Sequence, residues 1–250
     1  MNRSKTAATV AGVVVAAVLL FLVVIPQIRI YNAAKSAEYV GKPAQYYTDF
    51  SGKVDNPLKI TNGHISLDIS SSYSPIRLEG ELHDKARVYK DNSKGVMLTF
   101  ADNLGDAMDY TNEASLTGAS PMLKSVYKSF MRGVKRFGYG TPDCAYNSLR
   151  CIYLLDDSDY SFWDRDRCVA YAVLAEMKKA VGSDYDYVYI YERDDIRGFI
   201  SVEETPTKDT MYNIHLEIYT TDDLNTVSTV IMCVDTLGEA FAAMNTAKPV

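Results

Sequence analysis

Residues 185–234 read YDYVYIYERDDIRGFISVEETPTKDTMYNIHLEIYTTDDLNTVSTVIMCV, and this stretch decides the fold class. Tyr185–Tyr191 alternates four tyrosines with Asp186, Val188 and Ile190. Ile196–Val202 follows, then Tyr212, Ile214, Leu216 and Ile218 recur at strict period two, and Thr226–Val234 is a fourth run. Successive side chains of an extended chain point to opposite faces, so each run predicts a strand. The connections are short, whereas a parallel pair needs a crossover of a dozen residues or more, so antiparallel pairing is expected. The tyrosine count, 19 against 8 Phe and 1 Trp, suits strands, because the ring packs while its hydroxyl stays wet.

Helices flank this block. Ser120 and Pro121 open one as N-cap and first residue, and Gly138 ends it. Leu123, Val126, Tyr127, Phe130, Val134 and Phe137 mark its buried stripe. A second helix is expected from about Ser161 or Asp164 to Val181, with Ala170, Leu174, Met177 and Val181 on one face and Gly182 after it. Beyond the last strand, Thr236-Leu237-Gly238-Glu239 has the form of a capping box and starts a closing helix through Phe241 and Met244. Towards the N-terminus, Ile65, Leu67 and Ile69 predict a strand, Ser71–Pro75 a turn, and Ile76, Leu78 and Leu82 a second strand. Asp91-Asn92-Ser93-Lys94-Gly95 predicts a turn between segments around Val88 and Val96–Phe100, so this part is expected to be an antiparallel meander. Residues 102–119 hold Asp102, Asp106, Asp109 and Glu113 without Lys or Arg; a connection this long is either a functional loop or contains a short helix, and the helix is expected. The order of strands, helices, four strands and a helix predicts an α+β domain, a mainly antiparallel sheet with packed helices. That order is similar to small extracytoplasmic sandwich domains of the Mog1/PsbP type; no motif accompanies the similarity, and no residue role comes from it.

Thr6–Ile25 is 20 residues without a charge, rich in Val, Ala and Leu. As a helix it would measure about 30 Å, the thickness of a bilayer's hydrocarbon core. The apolar part of a cleaved signal peptide is shorter, about 7–15 residues, and ends at a small-x-small site. Ile25-Pro26-Gln27 is no such site, although Ala33, Ala34 and Ala37 leave later cleavage open. Residues 1–26 are therefore expected to be a membrane anchor and 27–55 a stalk and linker, punctuated by Gly41, Pro43 and Gly52, with Pro57 just beyond. Residues 56–250 are expected to be the soluble α+β domain. Arg3 and Lys5 precede the apolar run and Arg29, Lys35 and Lys42 follow it, so basic residues alone do not orient the chain. A short tail, one apolar run and a long domain form a signal-anchor layout, which places the N-terminus in the cytoplasm and the domain outside it.

The net charge is −6, and beyond the anchor 24 basic side chains face 32 acidic ones, a balance unsuited to phosphate backbones, so no nucleic-acid partner is expected. The Asp-rich stretch Asp156–Arg167, aligned as a calcium loop from Asp157, has Phe162 where glycine is needed and Cys168 where a bidentate Glu should close the site. It reads instead as acids favouring a helix N-terminus. Ser125 and Lys128 have the spacing of serine–lysine enzymes, but no Lys-Thr/Ser-Gly element follows. His64, His83 and His215 make no two-histidine metal spacing, and His215 is expected to be exposed. No metal, cofactor or catalytic residue is implied. Cys144, Cys151, Cys168 and Cys233 would permit two disulfides in an oxidising compartment, or stand as four reduced, buried thiols. A Cys144–Cys151 bond would require that segment to bend, because seven residues of continuous helix span about 10.5 Å. On the first helix, Lys124, Lys128, Arg132, Lys135 and Arg136 form a stripe of one sign opposite the apolar face. It is either a solvated face paired with neighbouring acids or a contact for a polyanion, anionic lipid head groups first. The expected function is a membrane-tethered extracytoplasmic interaction or ligand-binding domain. The competing class is a membrane-anchored hydrolase, which a cluster of titratable groups in a deep pocket would favour.

Overall fold

In the computed structural model, which describes residues 28, 32, 42–80, 83–92, 94–105, 120–182, 185–205 and 212–250, the alternating runs become four successive strands. These are β8 (Tyr187–Glu192), β9 (Ile196–Glu204), β10 (Tyr212–Thr220) and β11 (Asp223–Val234), each antiparallel to the next. Beyond β11 the sheet continues antiparallel through β6 (Lys94–Thr99), β5 (Ala86–Asp91) and β4 (Ser74–Ile76), and the short β7 (Asp102–Asn103) also pairs with β11. At the opposite edge β1 (Gln45–Tyr47) runs parallel to β8, so this nine-stranded sheet is mixed. A second, three-stranded antiparallel sheet joins β2 (Pro57–Thr61), β3 (Ile65–Ser70) and β12 (Lys248–Pro249). Among the described residues there are four α-helices: α1 (Pro121–Phe137), α2 (Ala145–Leu154), α3 (Arg165–Gly182) and α4 (Leu237–Thr246). The fold is α+β.

Both faces of the main sheet are covered. On one, Ile190, Phe199, Tyr219 and Val227 pack against Val134 of α1, Leu149 and Ile152 of α2, and Ala170 and Leu174 of α3. On the other, Val96, Leu98, Ile200, Leu216 and Val230 pack against Ile60, Ile65, Leu67 and Ile69 of the small sheet and Ala243 and Met244 of α4. The period-two pattern of β10 marks only the second of these faces; the first carries Asn213, His215, Glu217 and Tyr219.

The expected caps of α1 are present: Ser120 Oγ accepts the Leu123 N–H at 3.3 Å, Pro121 is the first residue, and Gly138 ends the helix at φ 82°. The 91–95 turn is a hairpin in which Asp91 faces Lys94 and Asn92 takes φ 51°. Other expectations need correction. The N-terminal strands are no single meander: β3 belongs to the small sheet and β4 to the main one, and the chain crosses between layers at Ser71–Tyr73. Thr236 is the N-cap of α4 but makes no side-chain capping bond, and Glu239 turns to Lys94 instead. Gln45–Tyr47, within the expected linker, are a strand of the main sheet. The membrane helix expected over residues 6–25, nearly all of residues 27–41 of the expected stalk and linker, Leu82, Ser93 and the segment 106–119 lie outside the described residues. Among those described, no helix is long and apolar enough to cross a membrane.

Candidate binding cleft

A cleft of about 370 Å³ opens where the chain crosses from one sheet to the other, within the size range of small-molecule sites. It is lined by Ser70, Ser72 and Tyr73 of the crossing turn, by Thr236, Gly238 and Glu239 at the start of α4, by Lys53 and Asp55 ahead of β2, and by Lys94 at the start of β6. Ile69, Met232, Ala242 and Ala243 give it apolar surface. The turn is held by the Tyr73 N–H donating to Ser70 O at 3.2 Å and by a 3.0 Å contact between the Ser70 and Ser72 hydroxyls.

Lys94 Nζ lies 2.7 Å from Asp235 Oδ2 and 2.9 Å from Glu239 Oε1. These hydrogen bonds push its pKa well above the usual lysine value, so Lys94 stays an ammonium and is unsuited to act as a base or nucleophile. Tyr73 is 4% exposed, and its hydroxyl has no hydrogen-bond partner. Burial first, then the Glu239 carboxylate, push the phenol pKa up, so it stays neutral and able to donate. An orphaned buried polar group costs roughly 1–3 kcal/mol, which a bound acceptor would recover. The cleft thus offers hydrogen bonds and charges of both signs, while neither Lys94 nor Tyr73 is poised to exchange a proton near neutrality.

The basic stripe lies elsewhere, on the helical side of the main sheet, and the structure divides it. Arg132 holds Asp166 with Nε–Oδ2 at 2.8 Å and Nη2–Oδ1 at 3.2 Å, and Arg136 holds Asp164 at 2.6 Å. The Arg132 hydrogen bond keeps the Asp166 carboxyl below its usual range. For Asp164, burial raises the pKa, but the Arg167 N–H and the Arg136 guanidinium outweigh it. Asp164 also caps α3 by accepting the Asp166 and Arg167 N–H groups. Lys124, Lys128 and Lys135 are exposed. Ser125 is exposed on the same helix as Lys128 and lines neither the cleft nor a second one around Arg87. The other acids of the 156–167 stretch are also engaged: Asp159 with the Tyr139 hydroxyl, Asp157 with the Tyr171 hydroxyl at 2.9 Å, and Asp156 with the Ser158 N–H at 2.8 Å. No group of three metal-ligating side chains occurs among the described residues.

All four cysteines are free thiols. Cys144 is the N-cap of α2 and Cys151 lies within it, so the intervening segment is continuous helix, which separates the pair beyond bridging range. Burial pushes the Cys151 thiol up to about 12, which leaves it unreactive.

His215 is half-buried, its ring 5.5 Å from that of Tyr185, where an exposed histidine was expected. Its strand neighbour Glu217 has a buried Oε2 without a partner, and burial lifts its pKa to about 7. Ser201 sits opposite His215 across the β9–β10 ladder, its hydroxyl also buried and unpartnered. No hydrogen bond joins Ser201, His215 and Glu217, so the three form no nucleophile–base pair. The cleft itself had no signature in sequence: Tyr73 read as turn, Lys94 as turn and Glu239 as cap. Comparison with protein-family models finds no match to this chain, and neither does a search of curated proteins.

Proposed function

We propose that this chain is a single-pass, membrane-tethered extracytoplasmic domain that binds a ligand or partner and performs no catalysis. The tether is the apolar run of residues 6–25, and export rests on the layout of that run and the long domain behind it. The order of elements, with layers on both faces of a largely antiparallel sheet, supports a sandwich of the Mog1/PsbP type. The observation that carries the binding reading is the cleft around Tyr73 and Lys94: an orphaned donor and a locked ion pair recognise a partner but drive no reaction. The experiment is a thermal-shift panel of amino acids, carboxylates, amines and sugars on the full chain in detergent, beside a Ser72→Trp variant that fills the cleft. At least one compound should raise the Tm of the wild type and not that of the variant. A panel that never separates the two proteins overturns the binding reading.

The stripe Lys124, Lys128, Arg132, Lys135 and Arg136 is the proposed contact with anionic lipid head groups. With both arginines paired, the three lysines are its available charges. A lysine near an anionic surface contributes about 1 kcal/mol at most, over a Debye length of roughly 8 Å at physiological salt. The stripe and the cleft serve opposite faces of the main sheet, so a domain resting on α1 turns its cleft away from the bilayer. A fragment lacking residues 1–26 should float with anionic but not neutral liposomes, more strongly at low salt, and lose this when Lys124, Lys128 and Lys135 become Glu. Equal flotation of a folded triple variant leaves α1 as a solvated face.

A further inference from the structure

The ionised side chains lining the cleft are Lys53, Lys94, Asp55 and Glu239, two of each sign, so its lining favours neither a polyanion nor a polycation. Its two kinds of polar group are differently placed in the fold. Tyr73, 96% buried with a hydroxyl that finds no partner, is a donor awaiting an acceptor. Beside it α4 begins without a side-chain cap: Thr236 makes no capping bond, and Gly238 has no side chain to cover the helix end. Uncapped N–H groups and the positive end of a helix favour a carboxylate. Lys94 uses its contacts with Asp235 and Glu239 to offset those charges, and an ammonium has a third N–H to give. Asp55 is exposed at the rim and suits a cation. Between these polar groups lies the aliphatic surface of Ile69, Met232 and Ala243.

We infer that the cleft takes a small zwitterion, an α-amino acid with an aliphatic side chain, its carboxylate held by the Tyr73 hydroxyl and the first turn of α4, and its ammonium by Asp55 and Glu239. This rests on the cleft being a binding site, and it adds the ligand class. A neutral sugar would leave the exposed Asp55 carboxylate unanswered, and a dicarboxylate would meet Asp55 and Glu239 as like charges.

The test is calorimetric titration of the full chain in detergent with leucine and valine, beside N-acetylleucine, which has no ammonium, and leucinamide, which has no carboxylate. Leucine or valine should bind, and both analogues should bind at least tenfold more weakly. Tyr73→Phe should weaken leucine binding about tenfold, the loss of one hydrogen bond to a charged group. Its unliganded Tm should be unchanged or higher, since the hydroxyl removed has no partner. Absence of leucine and valine binding overturns the inference. So does an analogue that binds as well as the amino acid, or full affinity in a folded Tyr73→Phe protein, which would make the hydroxyl's partner an ordered water. If a compound of another class separates wild type from Ser72→Trp while amino acids do not, the binding cleft stands and the zwitterion falls; if no compound does, both fall.

Discussion

Glu217 shows how a single residue escapes a periodicity argument. It alternates with Leu216 and Ile218 and so reads as the wet side of a half-buried strand. The inference fails because α1–α3 cover that side as well, and an acid that belongs in water faces the protein interior with one oxygen unpaired. The consequence is a pH dependence of stability with an unusual sign for a carboxylate. Burial lifts the folded-state pKa to about 7 from an ordinary value near 4.5. Between those values the folded protein retains a proton that the unfolded chain has released. Stability therefore falls as pH rises from about 4.5 to 7 and stays reduced above that. Glu217→Gln removes the ionisable group while keeping its shape. It should stabilise the protein by on the order of 2 kcal/mol at pH 8 and by little at pH 4, as read from urea unfolding at the two pH values. Equal differences at both would mean that Glu217 ionises freely in the folded state. The same covering helices half-bury His215, whereas Lys94 and Tyr73 are illegible for another reason: their importance comes from Asp235, Glu239 and the start of α4, about 140 to 165 residues away.

At the scale of elements, legibility followed amphipathicity and caps. α1 has Ser120, Pro121 and Gly138 at its ends and a polar outer face, and it was expected at its observed limits. The four strands at 187–234 each carry a run long enough to be recognised. α2 is not legible because it is short and Ala145, Tyr146, Ser148, Leu149, Cys151, Ile152 and Tyr153 are all buried, which leaves Asn147 and Arg150 as the only polar residues of its outer face. The crossing between sheets after β3 is not legible because two strands joined by a short turn look like a hairpin whether or not they pair. The expected buried stripe of α1 also needs trimming, since Leu123 is 51% exposed and the deep contact begins at Ser129 and Phe130. That contact depends on Gly133: a Cβ built there would collide with the backbone oxygen of Asp166 and the methyl of Ala170 in α3. The backbones of α1 and α3 approach closely here, and the same approach aligns Arg132 with Asp166 and Arg136 with Asp164. Gly133→Ala would normally raise helix propensity by about 1 kcal/mol. In this protein it should instead destabilise by about 2 kcal/mol or more through overpacking, measured as a lower urea midpoint. A gain in stability would show that α1 and α3 can separate at little cost.

Across the whole molecule, the segment that leads in from the proposed tether is part of the fold from residue 42 onwards. Lys178, buried in α3, donates to Lys42 O at 3.2 Å, Tyr153 O at 3.4 Å and Leu155 O at 2.8 Å, and this burial draws its pKa down to about 8. The Ala44 N–H donates to Tyr153 O at 2.8 Å, so the incoming chain is pinned to the C-terminal end of α2. One residue further, β1 extends the main sheet beside β8, and the Tyr46 hydroxyl accepts from Arg150 Nη2 at 2.6 Å. Tyr47 stacks on Tyr191 with ring centres 6.0 Å apart and meets Phe241 at a tilt, 4.7 Å away, closing the edge between the sheet and α4. Lys53 and Asp55 then reach the cleft before β2 begins. A domain boundary at residue 56, which composition and the Gly and Pro punctuation suggested, would cut through these contacts. Two truncations test this. A fragment of residues 42–250 should unfold in one cooperative transition with near full stability. A fragment of residues 56–250 loses the half-buried ring of Tyr47, the buried Ala44 and the pairing of β1, and should be less stable by at least about 3 kcal/mol. It should also lose any cleft ligand bound by the longer fragment, because Lys53 and Asp55 go with it. Equal urea midpoints for the two fragments would make residues 42–55 a linker that merely rests on the domain. The expected difference makes residues 42–55 part of the folded domain, held to it through Ala44 and β1.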